Sequence, residues 1–193
     1  VTTMTRIGIF FGTESGRTQM VARYIAKSLG DAASPPIDIG RATLADFLSY
    51  DALILGSPTH GGGQLPGRSL AACPPSWQAF LPQLAGVDLS GKVAAIYGVG
   101  DQKQYPGAFV DAIAVIQDTL LTGGARIVGR WPTSGYDFTA SRAVDGRHFL
   151  GLALDQINQP GLTGQRVESW LAQVRPALLP KQGSGMPAAL RSA

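Results

Sequence analysis

The sequence predicts an α/β fold, a doubly wound parallel sheet with helices on both faces. Three observations predict it. Apolar runs at residues 6–11, 51–56 and 91–97 are continuous rather than alternating, which marks strands buried on both sides. Segments with apolar residues at helical spacing separate them, so strands and helices alternate along the chain. Glycine stands at or just after the end of each run, where an open sheet of this kind receives its ligands.

Each element has its own reason. Arg6–Phe11 is the first strand, closed by Gly12. Met20, Val21, Tyr24, Ile25 and Leu29 share one side of a helix over about 17–29, and Gly30 stops it. A loop at Ser34–Pro36 leads to a short strand at 37–39, and Thr43 caps a short helix ending at Leu48. Asp51–Gly56 is the next buried strand, and a Gly- and Pro-rich loop runs from Ser57 to Pro75. Ser76–Leu84 reads as a helix, and Gly91–Tyr97 as the third strong strand. Pro106 suits the first turn of a helix running to Leu121, with Phe109, Ile113, Ile116 and Leu120 on one face. Ala125–Gly129 is a further strand. Residues 131–160 are expected to be irregular, with one strand at 148–152. Thr163–Val174 is the last helix. One domain is expected over 1–176, followed by a Gly- and Pro-containing tail, 177–193, without fixed structure.

Composition narrows the function. Of 193 residues, 45% are hydrophobic and 15% charged, enough to fold around a core. The net charge of +3 is spread without a basic run, so a nucleic-acid partner is not expected. No apolar run approaches the ~18 residues of a membrane helix, and none near the start resembles a signal peptide. A single cysteine, Cys73, excludes an internal disulfide and a multi-cysteine metal site; a cytoplasmic monomer is expected. His60 and His148 are the only histidines, and no Cys/His catalytic pair is evident.

The loop after the first strand reads Gly12-Thr13-Glu14-Ser15-Gly16-Arg17-Thr18. Three hydroxyls and a guanidinium at a helix N-terminus suit a phosphate. The glycine spacing and Arg17 depart from a P-loop, and the Gly-x-Gly-x-x-Gly dinucleotide signature is absent. Ile9–Ile25, with Thr13, Gly16, Thr18, Ala22 and Ile25 in register, resembles the flavodoxin signature.

Two further loops carry the same resemblance. Pro58-Thr59-His60-Gly61-Gly62-Gly63-Gln64-Leu65 resembles the loop that covers one flavin face, and Gly98-Val99-Gly100-Asp101-Gln-Lys-Gln-Tyr105 resembles the one that covers the other. The segments 131–138 and 149–158 resemble the insertion of long-chain members, so the similarity spans about residues 5–175. It implies a five-stranded parallel sheet in the order 2-1-3-4-5, with the last strand split by the insertion. It also implies FMN as cofactor. On this resemblance Thr13, Glu14, Ser15, Gly16, Arg17 and Thr18 wrap the phosphate, with Pro58 and Thr59 nearby. His60 stands where a bulky aromatic is usual, and Gly61, Gly62 and Gly63 line the ring edge near N5. Glycine reaches positive φ cheaply, so a Gly61–Gly62 peptide can flip toward the half-reduced flavin. Backbone groups of Val99, Gly100 and Asp101 meet the pyrimidine end, and Tyr105 stacks on the ring.

The resemblance implies a low-potential one-electron carrier rather than an enzyme. Its implied partners are ferredoxin–NADP or flavodoxin–NADP reductase, pyruvate:flavodoxin oxidoreductase and nitrogenase reductase. Several residues depart from the family pattern. Gln64 replaces a frequent Glu, Val99 a frequent Thr and Ala108 a frequent Asn; Arg68–Pro75 looks inserted, and the family is typically acidic. Two alternatives follow: an FMN-dependent NAD(P)H quinone reductase of related fold, and an interaction module that has lost FMN.

Overall fold

The computed structural model describes residues 6–12, 14–59, 63–66 and 75–179. Thr13, His60, Gly61, Gly62 and Cys73, and the expectations placed on them, lie outside the described residues. Strand β1 (Ile7–Phe11) is followed by helix α1 (Arg17–Leu29), β2 (Ile37–Asp38), α2 (Leu44–Leu48) and β3 (Ala52–Pro58). Next come α3 (Trp77–Phe80), β4 (Val93–Val99), α4 (Ala112–Thr122) and β5 (Arg126–Val128). Four short strands, β6 (Trp131–Pro132), β7 (Val144–Asp145), β8 (His148–Phe149) and β9 (Leu152–Leu154), precede α5 (Thr163–Leu178).

The main sheet is parallel in the order β2-β1-β3-β4-β5, as the resemblance implied. Strand β9 pairs with β4 as well. β5 takes Val93–Ala95 of β4, and β9 takes Tyr97–Val99, both parallel. The other edge of β4 is filled by β3 along its whole length. So β5 and β9 are two pieces of one outer strand, and the chain between them makes the insertion. That insertion holds its own antiparallel sheet, β6-β8-β7.

Alternation along each strand divides the core in two. Ile7, Ile9 and Phe11, with Ile54, Ala95 and Tyr97, face α1 and α5. Phe10, Leu53, Leu55, Ala94 and Ile96 face α2, α3 and α4. Both sides being apolar is why the strands read as continuous runs.

Several boundaries differ from the sequence expectation. The helix expected from Pro106 begins only at Ala112. The cause is Val110, whose φ of 51° lies in the left-handed region and breaks any helix through it. The strand expected at 148–152 is two strands, because the chain leaves the small sheet at Phe149 and joins β4 at Leu152. The Ser76–Leu84 helix divides into α3 and a 3₁₀ turn at Leu81–Leu84, where Pro82 removes a donor. The last helix continues past Val174, through Pro176, to Leu178, which is buried against the α1 side of the sheet. Thr43 caps α2 as expected, in a reciprocal box with Asp46.

Candidate functional site

The carboxyl ends of β1, β3 and β4 lie side by side, so the loops that follow them meet. Between them is a cleft of about 210 Å³. Glu14, Ser15, Arg17, Thr18, Pro58, Thr59, Val99, Gly100, Asp101 and Tyr105 all line it. Ten of the residues named from sequence thus converge on one opening, with Gly16 capping the helix that points into it.

The first wall is built for an anion. Gly16 adopts φ 80°, ψ −9°, a conformation glycine reaches without a Cβ clash, and no side chain caps the helix. The first amide bonded within the helix is that of Met20, which donates to the Gly16 carbonyl. Arg17, Thr18 and Gln19 form the first turn, whose amides lack the intrahelical partners of later turns, and this turn carries no acid. These amides, the Ser15 hydroxyl and the Arg17 guanidinium form a donor set for a phosphate-like group. Beneath them Thr18 is buried, and its carbonyl accepts the Tyr97 hydroxyl at 2.9 Å. Burial pushes the Tyr97 phenol well up, so it stays a neutral donor.

The second wall hangs on helix α4. The Thr59 amide donates to the Val99 carbonyl at 3.1 Å, and the Thr59 hydroxyl oxygen accepts the Ala112 amide at 3.1 Å. Ala112 is the first residue of α4, two residues after the left-handed Val110. Gly63 is separated from the main cleft. It lines a neighbouring cavity of about 290 Å³ with Gln64, Leu65, Gln78, Val115 and Arg142. Its φ is 88°, and a Cβ there would stand 2.7 Å from Asp111 Oδ2, so glycine fits this place for two reasons.

The third wall is tied inward. Asp101 Oδ1 accepts the Lys103 and Gln104 amides and Asn158 Nδ2 at 2.8 to 3.1 Å. Burial alone would raise this carboxyl. The Gln104 amide, Asn158 and Lys103 bonds and the Arg17 charge outweigh it and hold the group below the usual carboxylate range. The Gly100 amide donates to Leu154, and the Val99 carbonyl is taken by Thr59, so both these backbone groups have partners within the protein. Tyr105 stands at the mouth with an exposed ring.

A flavodoxin family model matches residues 9–170. The chain belongs to the flavodoxin family. It is 45% identical over 176 residues to a flavodoxin of Klebsiella pneumoniae, covering 91% of this chain and all of that one. A Synechocystis flavodoxin is 41% identical over 176 residues, covering 91% and 99%. Among solved structures, Fusobacterium nucleatum flavodoxin bound to flavin mononucleotide superposes with a TM-score of 0.80 at 28% identity, covering 91% of this chain and 99% of that one.

Flavodoxin motifs alone did not point to every residue of the cleft. Gln104 and Ile157 also line it. Asp155, buried, accepts the Gln102, Ile157 and Asn158 amides and so fixes the loop that carries Ile157 beside Asp101. An Asp followed by Asn three residues later, after an apolar run, is a turn signal that marks such a brace. Trp77 is another support: its indole N–H donates at 2.8 Å to the Gly56 carbonyl, which also accepts the Gly12 amide at the start of the loop after β1.

Proposed function

We propose that the chain is a low-potential one-electron carrier that binds FMN in the cleft between the β1, β3 and β4 loops. The observation that carries this is the N-terminus of α1, with Ser15 and Arg17, opening into a cleft that has Tyr105 at its mouth. An anionic tail and a flat ring match those two ends. Bound FMN supplies one-electron chemistry; the chain binds, orients and shields it.

Each residue then has a task. The α1 amides, Ser15, Arg17 and the hydroxyl of Thr13 hold the phosphate. Thr59, fixed by Ala112 and Val99, positions the loop that carries His60, Gly61 and Gly62. Tyr105 covers one ring face and leaves the edge open to partners. Asp101, kept ionised by its hydrogen bonds and Arg17, places negative charge near the ring and disfavours an anionic reduced state. The proposed donors and acceptors are those of the resemblance: a ferredoxin–NADP or flavodoxin–NADP reductase or pyruvate:flavodoxin oxidoreductase on one side, and an acceptor such as nitrogenase reductase on the other. The carrier is proposed to work as a cytoplasmic monomer. Among the described residues no helix is long and apolar enough to cross a membrane.

The experiment is FMN titration of the purified chain, followed by anaerobic stepwise reduction. One FMN per chain, reduced in two separate one-electron steps, supports the carrier. A single two-electron step with steady NAD(P)H–quinone turnover replaces it with a quinone reductase. No uptake of FMN leaves an interaction module.

A further inference from the structure

The outward face of α1 carries charge of one sign. Arg17, Met20, Tyr24 and Lys27 follow one another at three- and four-residue spacing, which puts them in one stripe about 15 Å long. Arg23 lies beside it. All five are exposed, Met20 by 62%, and the helix has no Asp or Glu. Surface helices ordinarily turn polar groups outward. Here a thioether and a phenol ring stand among cations.

The stripe joins the cofactor cleft to the start of α5. Arg17 and Ile157 line the cleft, with Tyr105 at its mouth. At the far side a Cβ on Gly164 would lie 3.6 Å from the Tyr24 hydroxyl, which brings the Leu162 turn alongside. Six large apolar side chains are exposed among the described residues; Tyr105, Ile157, Leu162, Met20 and Tyr24 belong to this arc, and only Leu121 lies elsewhere. Exposed apolar groups gathered in one region mark an interaction surface. The acids of the arc are Glu14 and Asp101 at the cleft, Asp31 just past the end of α1, and Glu168 on α5. Asp101 is bound into its own loop. Glu168 accepts the Ser28 hydroxyl at 2.6 Å and the Tyr24 hydroxyl, and it feels the charge of Arg175, which itself donates to the Ser28 carbonyl. Beyond the cleft, Arg23, Lys27 and Arg175 therefore face outward against Asp31 and the occupied Glu168 carboxylate.

We propose that this arc is the docking surface for a redox protein whose own contact face is acidic with an apolar centre. The cations steer and orient it, and Met20, Tyr24, Ile157 and Leu162 supply the desolvated contact that brings it beside the cleft. The proposal rests on the carrier reading, because the docked partner must lie next to the cofactor.

The test uses two one-electron acceptors of opposite surface charge: ferric cytochrome b5, acidic, and ferric cytochrome c, basic. In each reaction one electron leaves the reduced flavin and converts ferric haem to ferrous. The second-order rate with cytochrome b5 is expected to fall about tenfold from low to ~0.3 M salt, the behaviour of attraction between opposite charges. R23E/K27E is expected to lower the low-salt rate about tenfold and flatten its salt dependence, with FMN affinity and spectrum unchanged. Met20→Ser is expected to lower the rate with the salt slope intact. A preference for cytochrome c at low salt, or R23E/K27E indistinguishable from the parent, overturns the proposal. Should the chain not take up FMN, the carrier reading fails separately. Backbone amide shifts on adding cytochrome b5 then decide: shifts along α1 keep the surface, and none there removes it.

Discussion

Val110 is a buried β-branched residue at φ 51°, where a Cβ crowds the following carbonyl. Its side chain lies against β4: a Cβ on Gly98 would stand 3.1 Å from Val110 Cβ, and one on Gly100 3.3 Å from its Cγ1. Replacing it with Ala removes two methyl groups, at about 0.8 kcal/mol each, plus a cavity cost, for about 2 kcal/mol in all. Replacing it with Gly removes one more carbon and frees the unfolded chain, ordinarily a further ~1–2 kcal/mol. At positive φ, however, Gly alone escapes the Cβ–carbonyl conflict, worth ~1–2 kcal/mol. The two differences cancel, so Val110→Gly is expected within about 0.5 kcal/mol of Val110→Ala. Val21, buried in the middle of α1, is the control. There Gly is expected to fall below Ala by about 1 kcal/mol. Urea unfolding of the four FMN-free variants, compared at constant m, measures both gaps. Equal Ala-to-Gly gaps at 110 and 21 would refute the claim that Val110 is strained.

Three more outcomes are expected. Arg17→Ala removes a charged donor from the cleft and should weaken FMN binding roughly 10- to 100-fold, read by fluorescence titration; unchanged affinity would take Arg17 out of the phosphate site. Asp101 has a folded carboxyl held below its unfolded value, so its stabilisation is present above about pH 4 and is lost as pH falls through the folded pKa. Asp101→Asn should therefore flatten the acid limb of an unfolding-versus-pH curve, and an unaltered limb would show that its hydrogen bonds contribute nothing there. Gly56→Ala places a Cβ 2.0 Å from Tyr97 Cζ and should destabilise the fold by ~1–3 kcal/mol or more, with Tyr97→Leu in the same chain restoring part of the loss on thermal unfolding.

The sheet was legible because its strands are buried on both faces, which leaves continuous apolar runs and glycine at the turns. Ten cleft residues were legible because the three loops that line it carry local sequence signatures. The start of α4 was not: Pro106 and the periodicity through Leu120 both point to an earlier helix. Nothing local betrays that Val110 turns left-handed where it packs on Gly98 of β4 and on Gly100 just beyond that strand. The division of 148–152 was hidden for the same reason, since the partner that claims Leu152 is Tyr97, far away in sequence. Ile157 reaches the cleft through Asp155, which accepts its amide and that of Gln102, 53 residues earlier in the chain, and Gln104 reaches it through its bond to Asp101.

The outer edge of the sheet is written in two sentences with a long parenthesis between them. Val128 stands opposite Ala95, and Leu152 opposite Tyr97, so a single residue facing Ile96 would join them. Gly151 already lies there, close enough that a Cβ on it would meet the Ile96 carbonyl at 2.2 Å. Splicing Val128 directly to Gly151 would therefore leave the edge in register with no new linker. What such an excision takes away is a cluster of rings, because Tyr136, Phe138 and Phe149 all pack on Phe109 at the foot of the Tyr105 loop. The parenthesis can be deleted without breaking the grammar of the sheet, but the loop at the mouth of the cleft would lose the surface it leans on.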